Sequence, residues 1–375
     1  MSARRSPSPA RRSPGSARAK RAEPPLDSAR LAARLDPQGM GDRIDGLPSQ
    51  IRGGAAIAEP LLERVAARRP RRAVLFGMGG SAIAGDLIRS LVDREGAAPF
   101  HVVRHYEPPA WITPEDFLIF SSYSGETEET VSAYRTLRGL GAPCCVISTG
   151  GTLARLAEED GVPRAVLPGG SPPRAALGYS ASTLLHLCSH LLLVGDAAVR
   201  LEAAARGVEE VASACGRHVL QSRNPAKQLA LRLAGRAVIV LANERTLGPV
   251  ALRWKGQLNE NSKHLAWASP LPEMNHNEVD GYVAPRSVVG AIGAVLLRDP
   301  ADHPRVVARF DWLAAYLERK RVRVDTVEVR GQDVMARLLS GAAIGDWVSY
   351  YLALAHGHDP SALPGVESLK RSLSG

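Results

Sequence analysis

Two turns in this chain concentrate glycine and hydroxyl residues just after short apolar runs. Gly77-Met78-Gly79-Gly80-Ser81 follows residues 72–76, and Ser121-Ser122-Tyr123-Ser124-Gly125-Glu126-Thr127 follows residues 117–120. Glycines at a helix start free backbone N–H groups at the positive end of the helix dipole, which favours an anion. Gly79, Gly80 and Ser81 in the first turn, with Ser122, Ser124 and Thr127 in the second, could wrap three phosphate oxygens without a lysine. A competing reading is a dinucleotide site, because Gly77-x-Gly79-x-x-Ala82 fits the loose G-x-G-x-x-[GA] fingerprint. That site expects an acid after the second strand, where this chain has Arg104-His105, with Glu107 only later. It also gives no reason for hydroxyls after the third strand. A P-loop is excluded because no G-K-[ST] follows. The monophosphate cradle is the better supported of the two.

The elements that must position these turns alternate regularly. Apolar runs at 72–76, 100–103, 117–120, 144–147 and 165–167 read as strands, separated by helical stretches. A second series follows at 237–241, 264–267, 288–297 and 322–329, with a helix at 249–261 and a long one at 333–355. Such alternation predicts an α/β protein with two doubly wound parallel sheets and flanking helices. In such sheets ligands sit at the carboxyl ends of the strands, where both hydroxyl-rich turns fall. Helical segments are expected at 26–67, with Asp27 and Pro48 as boundary signals, and at 176–221. Residues 359–373 form a closing segment.

At 375 residues, with 45% hydrophobic and 23% charged residues, the chain can bury two cores. No apolar run approaches the ~20 residues of a membrane span and no apolar signal segment opens the chain, so a cytoplasmic protein is expected. The four cysteines, Cys144, Cys145, Cys188 and Cys215, read as core thiols, and the scattered histidines give no zinc spacing. A net charge of +9 invites a nucleic-acid reading, but its location argues otherwise. Residues 1–25 hold seven basic residues against Glu23, so +6 of the +9 lies in a Ser/Pro/Arg-rich tail expected to be disordered. A start of translation near Met40 is an alternative account of that tail. The folded part is not expected to bind nucleic acid or membrane.

Together with Asn259-Glu260-Asn261-Ser262-Lys263 and Pro272-Glu273-Met274-Asn275-His276-Asn277-Glu278, the two turns resemble the bifunctional phosphoglucose/phosphomannose isomerases of the sugar isomerase (SIS) superfamily. The resemblance runs from about residue 26 to the C-terminus. Beyond the basic tail at 1–25, which lies outside the family pattern, it implies an N-terminal SIS domain with its leading helix at 26–215 and a C-terminal SIS domain at 216–375. It implies that Gly79, Gly80, Ser81, Ser122, Ser124 and Thr127 hold the sugar phosphate. Glu260 would move the proton between C1 and C2, and Arg174 would stabilise the enediolate. His276 and Lys370 would assist ring opening, and the active site would lie at a homodimer interface crossed by the histidine. Aldose–ketose isomerisation needs one proton-shuttling carboxylate and fixed positive charge, with no metal or other cofactor. A phosphosugar sensor that keeps only the cradle, or an isomerase of another phosphosugar, are the alternatives. Glu126 stands where relatives commonly carry Asn or Asp, and is tolerable beside a phosphate only if it caps a helix and points away.

Overall fold

The computed structural model describes residues 26–373; the basic tail at 1–25 lies outside the described residues. Among the described residues, nine strands form two sheets. β1 (Ala73–Phe76), β2 (Phe100–Val103), β3 (Phe117–Ser121), β4 (Cys144–Ser148) and β5 (Arg164–Val166) make the first, in the order β2-β1-β3-β4-β5. The second contains β6 (Ala237–Asn243), β7 (Ala266–Leu271), β8 (Ile292–Arg298) and β9 (Arg323–Glu328), in the order β7-β6-β8-β9. Every pairing is parallel. Both sheets start from an inner strand, turn back once and then run outward, so each is doubly wound with a single switch point.

Alternation along each strand divides the core. Ala73 and Leu75 of β1 and Val238, Val240 and Ala242 of β6 join one large cluster. Val74 and Phe76 face a second cluster, and Ile239 and Leu241 face a third. Each sheet is therefore covered on both faces, as parallel sheets require, and the faces turned toward the shared helices meet in one continuous core. The helix Val334–His356 runs through that core. Its 23 residues are long and apolar enough to cross a membrane, but 89% of its most apolar stretch is buried inside the protein. The expectation that no segment reaches membrane-spanning length therefore fails for this helix, whose apolar surface is used in packing.

The long helices expected at the N-terminus and in the middle are broken, for local reasons. Residues 26–67 form Ala29–Leu35, Met40–Asp45 and Leu47–Leu62. The first break is made by Gly39 at φ +70° and by the Asp36 carboxylate, which accepts from Met40 N at 2.7 Å and Gly41 N at 2.8 Å. Leu177–His190 and Ala197–Cys215 are separated where Leu192 adopts φ +57° and Asp196 caps the second helix. Helices Pro225–Leu233 and Pro304–Arg319, each opened by proline in its first turn, were not expected. The run at 288–297 begins as the helical turn Arg286–Val289 before β8. All four cysteines are free, and burial pushes the Cys144 and Cys215 thiols up to about 11.

At the switch point of the second sheet the chain meets its own carboxylate. Asp302 Oδ1 accepts from Asn243 Nδ2 at 2.8 Å and Thr246 Oγ1 at 2.9 Å, and Asp302 Oδ2 accepts from Asp299 N at 3.2 Å. Arg337 pairs with Asp299 at 3.0 Å.

Candidate active site

The register of the first sheet places the two hydroxyl-rich turns side by side. Phe76 of β1 is opposite Phe120 of β3, and the two rings stack at 5.1 Å. The turns that follow therefore leave the sheet together at its switch point. Gly77 has no room for a side chain, since a Cβ there would lie 2.8 Å from Ser121 O. Helix Gly79–Glu95 then begins, its first bond running from Ala82 N to Met78 O, so the amides of Gly79, Gly80 and Ser81 are the orphan donors of a helix start. Arg104, at the position where a dinucleotide site needs an acid, forms an ion pair with Asp86 of this helix.

In the second turn Ser122 is buried and its oxygen is spent internally. It accepts from Gly125 N at 3.0 Å and from Thr127 N at 3.4 Å, and lies 2.8 Å from Thr127 Oγ1. The two hydroxyls of Ser122 and Thr127 share a hydrogen bond in which either oxygen can be the donor. Ser124 is exposed, and Gly125 adopts φ +71° against Gly150, where a Cβ would come within 1.8 Å of the carbonyl oxygen. Glu126 accepts from Thr152 N at 2.7 Å, at the start of helix Gly151–Glu159. Its charge caps that helix, as its place in the turn demands.

A third turn touches the cradle from the other side. The short helical turn Pro173–Ala175 lies against Gly80, whose Cβ would be 2.8 Å from Pro173 O. It carries Arg174, which is 5% exposed. Arg174 Nε donates to Asn261 Oδ1 at 2.7 Å, and Nη2 donates to the carbonyls of Pro360 and Ser361, both at 2.9 Å. Nη1 faces Glu260 Oε2 at 3.7 Å, an ion pair slightly beyond hydrogen-bond reach. Burial holds the Arg174 guanidinium below its usual range; Glu260 opposes that shift and Arg253 adds to it.

Glu260 ends helix Gly248–Glu260, where helix-dipole rules favour a cation over an acid. The local sequence compensates. Asn259 staples the helix end to β7 through Lys255 O and Ala266 O, and Asn261 receives Arg174. Lys263 adopts φ +51° and donates to Asn261 O at 3.2 Å and also to Asp359 O. Burial, reinforced by Arg174, lowers the Lys263 pKa. Arg174 and Lys263 thus clamp successive carbonyls of the loop at 359–361 above Glu260.

The fold brings Arg174 and Glu260 together and sets the Arg174 turn against the cradle at Gly80. The other two expected residues lie on exposed elements of the chain. His276 is exposed on the turn Met274–Asn277. Lys370 lies on the exposed helix Pro364–Leu373, beyond the clamped loop. Sequence reasoning passed over Arg253 and Asp346, although a lone acid in the middle of an apolar helix was a signal. The contacts of Asn261 and Lys263 were unreadable without the fold.

Helix starts, hydroxyls and a buried arginine thus converge at the switch point of a doubly wound sheet, a place suited to an anionic ligand. Comparison with known proteins gives the class as the sugar isomerase (SIS) type. Residues 68–160 match the SIS domain, and residues 222–373 match the bacterial phospho-glucose isomerase C-terminal SIS domain. The chain is 35% identical to the bifunctional phosphoglucose/phosphomannose isomerase of Caldicellulosiruptor bescii, over 89% of this chain and 99% of that protein. It is 34% identical to the protein of the same name from Aquifex aeolicus, over 81% of this chain and 91% of that one. The chain belongs to the bifunctional phosphoglucose/phosphomannose isomerase family. Among solved structures, a hypothetical protein of Thermus thermophilus shares the fold, with a TM-score of 0.68, 18% identity and coverage of 92% of this chain and 93% of that one. So does the tagatose-6-phosphate ketose/aldose isomerase of Escherichia coli, with a TM-score of 0.64, 16% identity and coverage of 85% and 93%.

Proposed function

We propose that this protein interconverts glucose 6-phosphate and mannose 6-phosphate with fructose 6-phosphate, without a metal, as an enzyme of cytoplasmic carbohydrate metabolism. The phosphate is held by the amides at Gly79, Gly80 and Ser81 and by Ser124 and Thr127, with Ser122 bracing the turn. The Glu260 carboxylate takes the C2 proton of the open-chain aldose, leaving an enediolate, and returns that proton to C1. The hydroxyl proton passes from O2 to O1, which completes the ketose. Arg174 Nη1, the guanidinium nitrogen turned toward Glu260, stabilises the oxygen on which charge develops. The reverse sequence, with return to either face of C2, gives glucose or mannose 6-phosphate.

The observation that carries this reading is the 3.7 Å pairing of Glu260 with Arg174, whose own turn lies against Gly80 of the cradle. A sensor needs the cradle alone. Ring opening falls to His276 and Lys370, with His276 reaching across a homodimer interface. That arrangement is supported by the exposed position of His276 and by the uncovered apolar side chains Val366, Leu369 and Leu373 beside Lys370. In this reading the two SIS domains divide between Cys215 and Gly216.

The test is turnover of fructose 6-phosphate in EDTA-treated buffer by wild type and Glu260→Gln, with each aldose detected by its own coupled dehydrogenase. Wild-type turnover with at least a hundredfold loss of kcat in the variant supports the reading. Absence of wild-type turnover, together with a fructose 6-phosphate-induced rise in Tm, would replace it with a sensor or another phosphosugar reaction. The latter has a precedent in the D-glucosamine-6-phosphate 4-epimerase of Sulfolobus acidocaldarius, 29% identical over 55% of this chain.

A further inference from the structure

Beneath Arg174 and Glu260 lies a buried polar chain that the proton transfer itself does not use. Asp346, 3% exposed within the apolar helix Val334–His356, accepts from Arg253 Nε at 3.1 Å, Arg253 Nη2 at 2.7 Å and Gln257 Nε2 at 2.8 Å. Arg253 Nη2 also donates to the backbone oxygen of Arg174 at 3.0 Å. From the same apolar helix, Ser349 Oγ accepts from Asn261 Nδ2 at 3.0 Å and donates to Asp346 O at 2.8 Å. Asn261 in turn holds Arg174 Nε. Arg174 is thereby held by its backbone through Arg253 and by its side chain through Asn261, with both lines ending at Asp346. Arg253, Gln257, Glu260 and Asn261 recur at i, i+4, i+7 and i+8, one face of the helix that carries the carboxylate and its C-cap.

A buried ion pair is poor evidence of stabilisation, because well-packed apolar residues of similar volume often serve as well or better. What the pair does provide is directional bonding among three separate elements. We propose that the buried Arg253–Asp346 pair is the positioning element of this site. It sets the register between the helix bearing Glu260 and the Pro173–Ala175 turn bearing Arg174, so that carboxylate and guanidinium meet the reacting carbons in one geometry. Neither residue touches the substrate in this arrangement. The inference rests on Glu260 and Arg174 being the reacting pair.

The test compares wild type with Arg253→Met/Asp346→Leu and with Arg253→Lys. Four quantities are measured: Tm, kcat, KM for fructose 6-phosphate, and solvent exchange of the Arg174 Nε–H by 15N NMR, assigned from an Arg174→Lys spectrum. The double variant is expected to fold with Tm within a few degrees of wild type. Its kcat should fall about 10- to 100-fold with KM changed less than about threefold, because misplacement by about 1 Å is enough to cost that much in rate. Its Arg174 Nε–H should exchange at least about tenfold faster. A lysine keeps the charge opposite Asp346 but lacks the planar fork that bonds both partners. Arg253→Lys should therefore keep its Tm and still lose kcat, and it decides the matter if the double variant does not fold. A folded variant whose kcat and Arg174 exchange both stay within twofold of wild type would overturn the proposal. If wild type turns over neither hexose phosphate, the functional reading fails, and the exchange rates alone decide the positioning role.

Discussion

Gly80→Ala tests how tightly the phosphate cradle and the arginine turn are coupled. A Cβ on Gly80 would stand 2.8 Å from Pro173 O and 3.6 Å from Arg174 Cα, whereas ordinary contact begins at 3.4 Å. Gly80 needs no left-handed backbone, so the substitution adds contact without φ strain. Relief demands a displacement of about 0.6 Å, the difference between the 2.8 Å approach and ordinary contact at 3.4 Å. The turn is stiff, since it follows Pro172-Pro173, and its arginine is tied to Asn261, Pro360 and Ser361 on the far side. The strain therefore falls on the spacing between cradle and Arg174. Overpacking of this kind costs about 1–3 kcal/mol, offset by roughly 1 kcal/mol from alanine's better helix propensity. A net loss of about 0–2 kcal/mol leaves the protein folded, while a sub-ångström misplacement lowers kcat by about 10- to 100-fold. The assay is coupled fructose 6-phosphate turnover alongside a thermal melt. Gly139→Ala is the matched control, because a Cβ there meets nothing within 4 Å. A folded Gly80→Ala with kcat within twofold of the control would refute the coupling.

Two further outcomes concern stability. Burial lowers the pKa values of His186, His264 and His356, with His264 and His358 adding to the shift at His356. Above the unfolded value of about 6.5 both states are neutral and the full stability is present. As pH falls below it, the unfolded chain takes protons the folded chain resists, so Tm should drop as pH is lowered through about 6.5. His356→Gln should make that drop shallower, and an unchanged slope in differential scanning fluorimetry would contradict the assignment. Separately, Lys227 is 1% exposed and its Nζ donates to Asp27 Oδ1 at 2.8 Å, Val219 O at 2.8 Å and Arg217 O at 3.2 Å. Asp27→Ala strands that charge and should cost about 1–2 kcal/mol in urea unfolding, discounted because Asp27 is partly exposed. No measurable loss would mean that Lys227 is satisfied by the carbonyls alone.

Much of the fold was legible because parallel strands buried on both faces read as apolar runs, and the helices between them force the spacing. Every expected strand is present, though the ends of β7 and β8 shifted. The boundary of β8 was hidden because Val288 and Val289 look like strand residues, yet Pro285 starts a helical turn there. Helix breaks at Gly39 and Leu192 depend on single backbone conformations and on caps such as Asp36 and Asp196, which leave little trace in periodicity. Of the candidate site, the hydroxyl-rich turns stood out by residue type alone, and Arg174 and Glu260 were singled out only by a family resemblance. Their meeting depends on contacts 87 residues apart or more, such as Arg174 with Asn261 and with the 360–361 carbonyls. Local sequence does not encode separations of that kind. Asp346 was overlooked because a helix scanned for apolarity hides its one acid.

The Asp302 carboxylate gives the two similarly wired sheets opposite characters. At the switch point of the first sheet, helix starts and hydroxyls converge, and the nearby acid, Glu126, is turned aside to Thr152. At the second, Asn243, Thr246 and the Asp299 amide already converge on an anion of the chain's own. The polar groups at the second switch point are thus already satisfied by a carboxylate of the chain itself. The helix that follows β6 instead ends at Glu260, facing Arg174 and the turn packed against Gly80 of the first sheet.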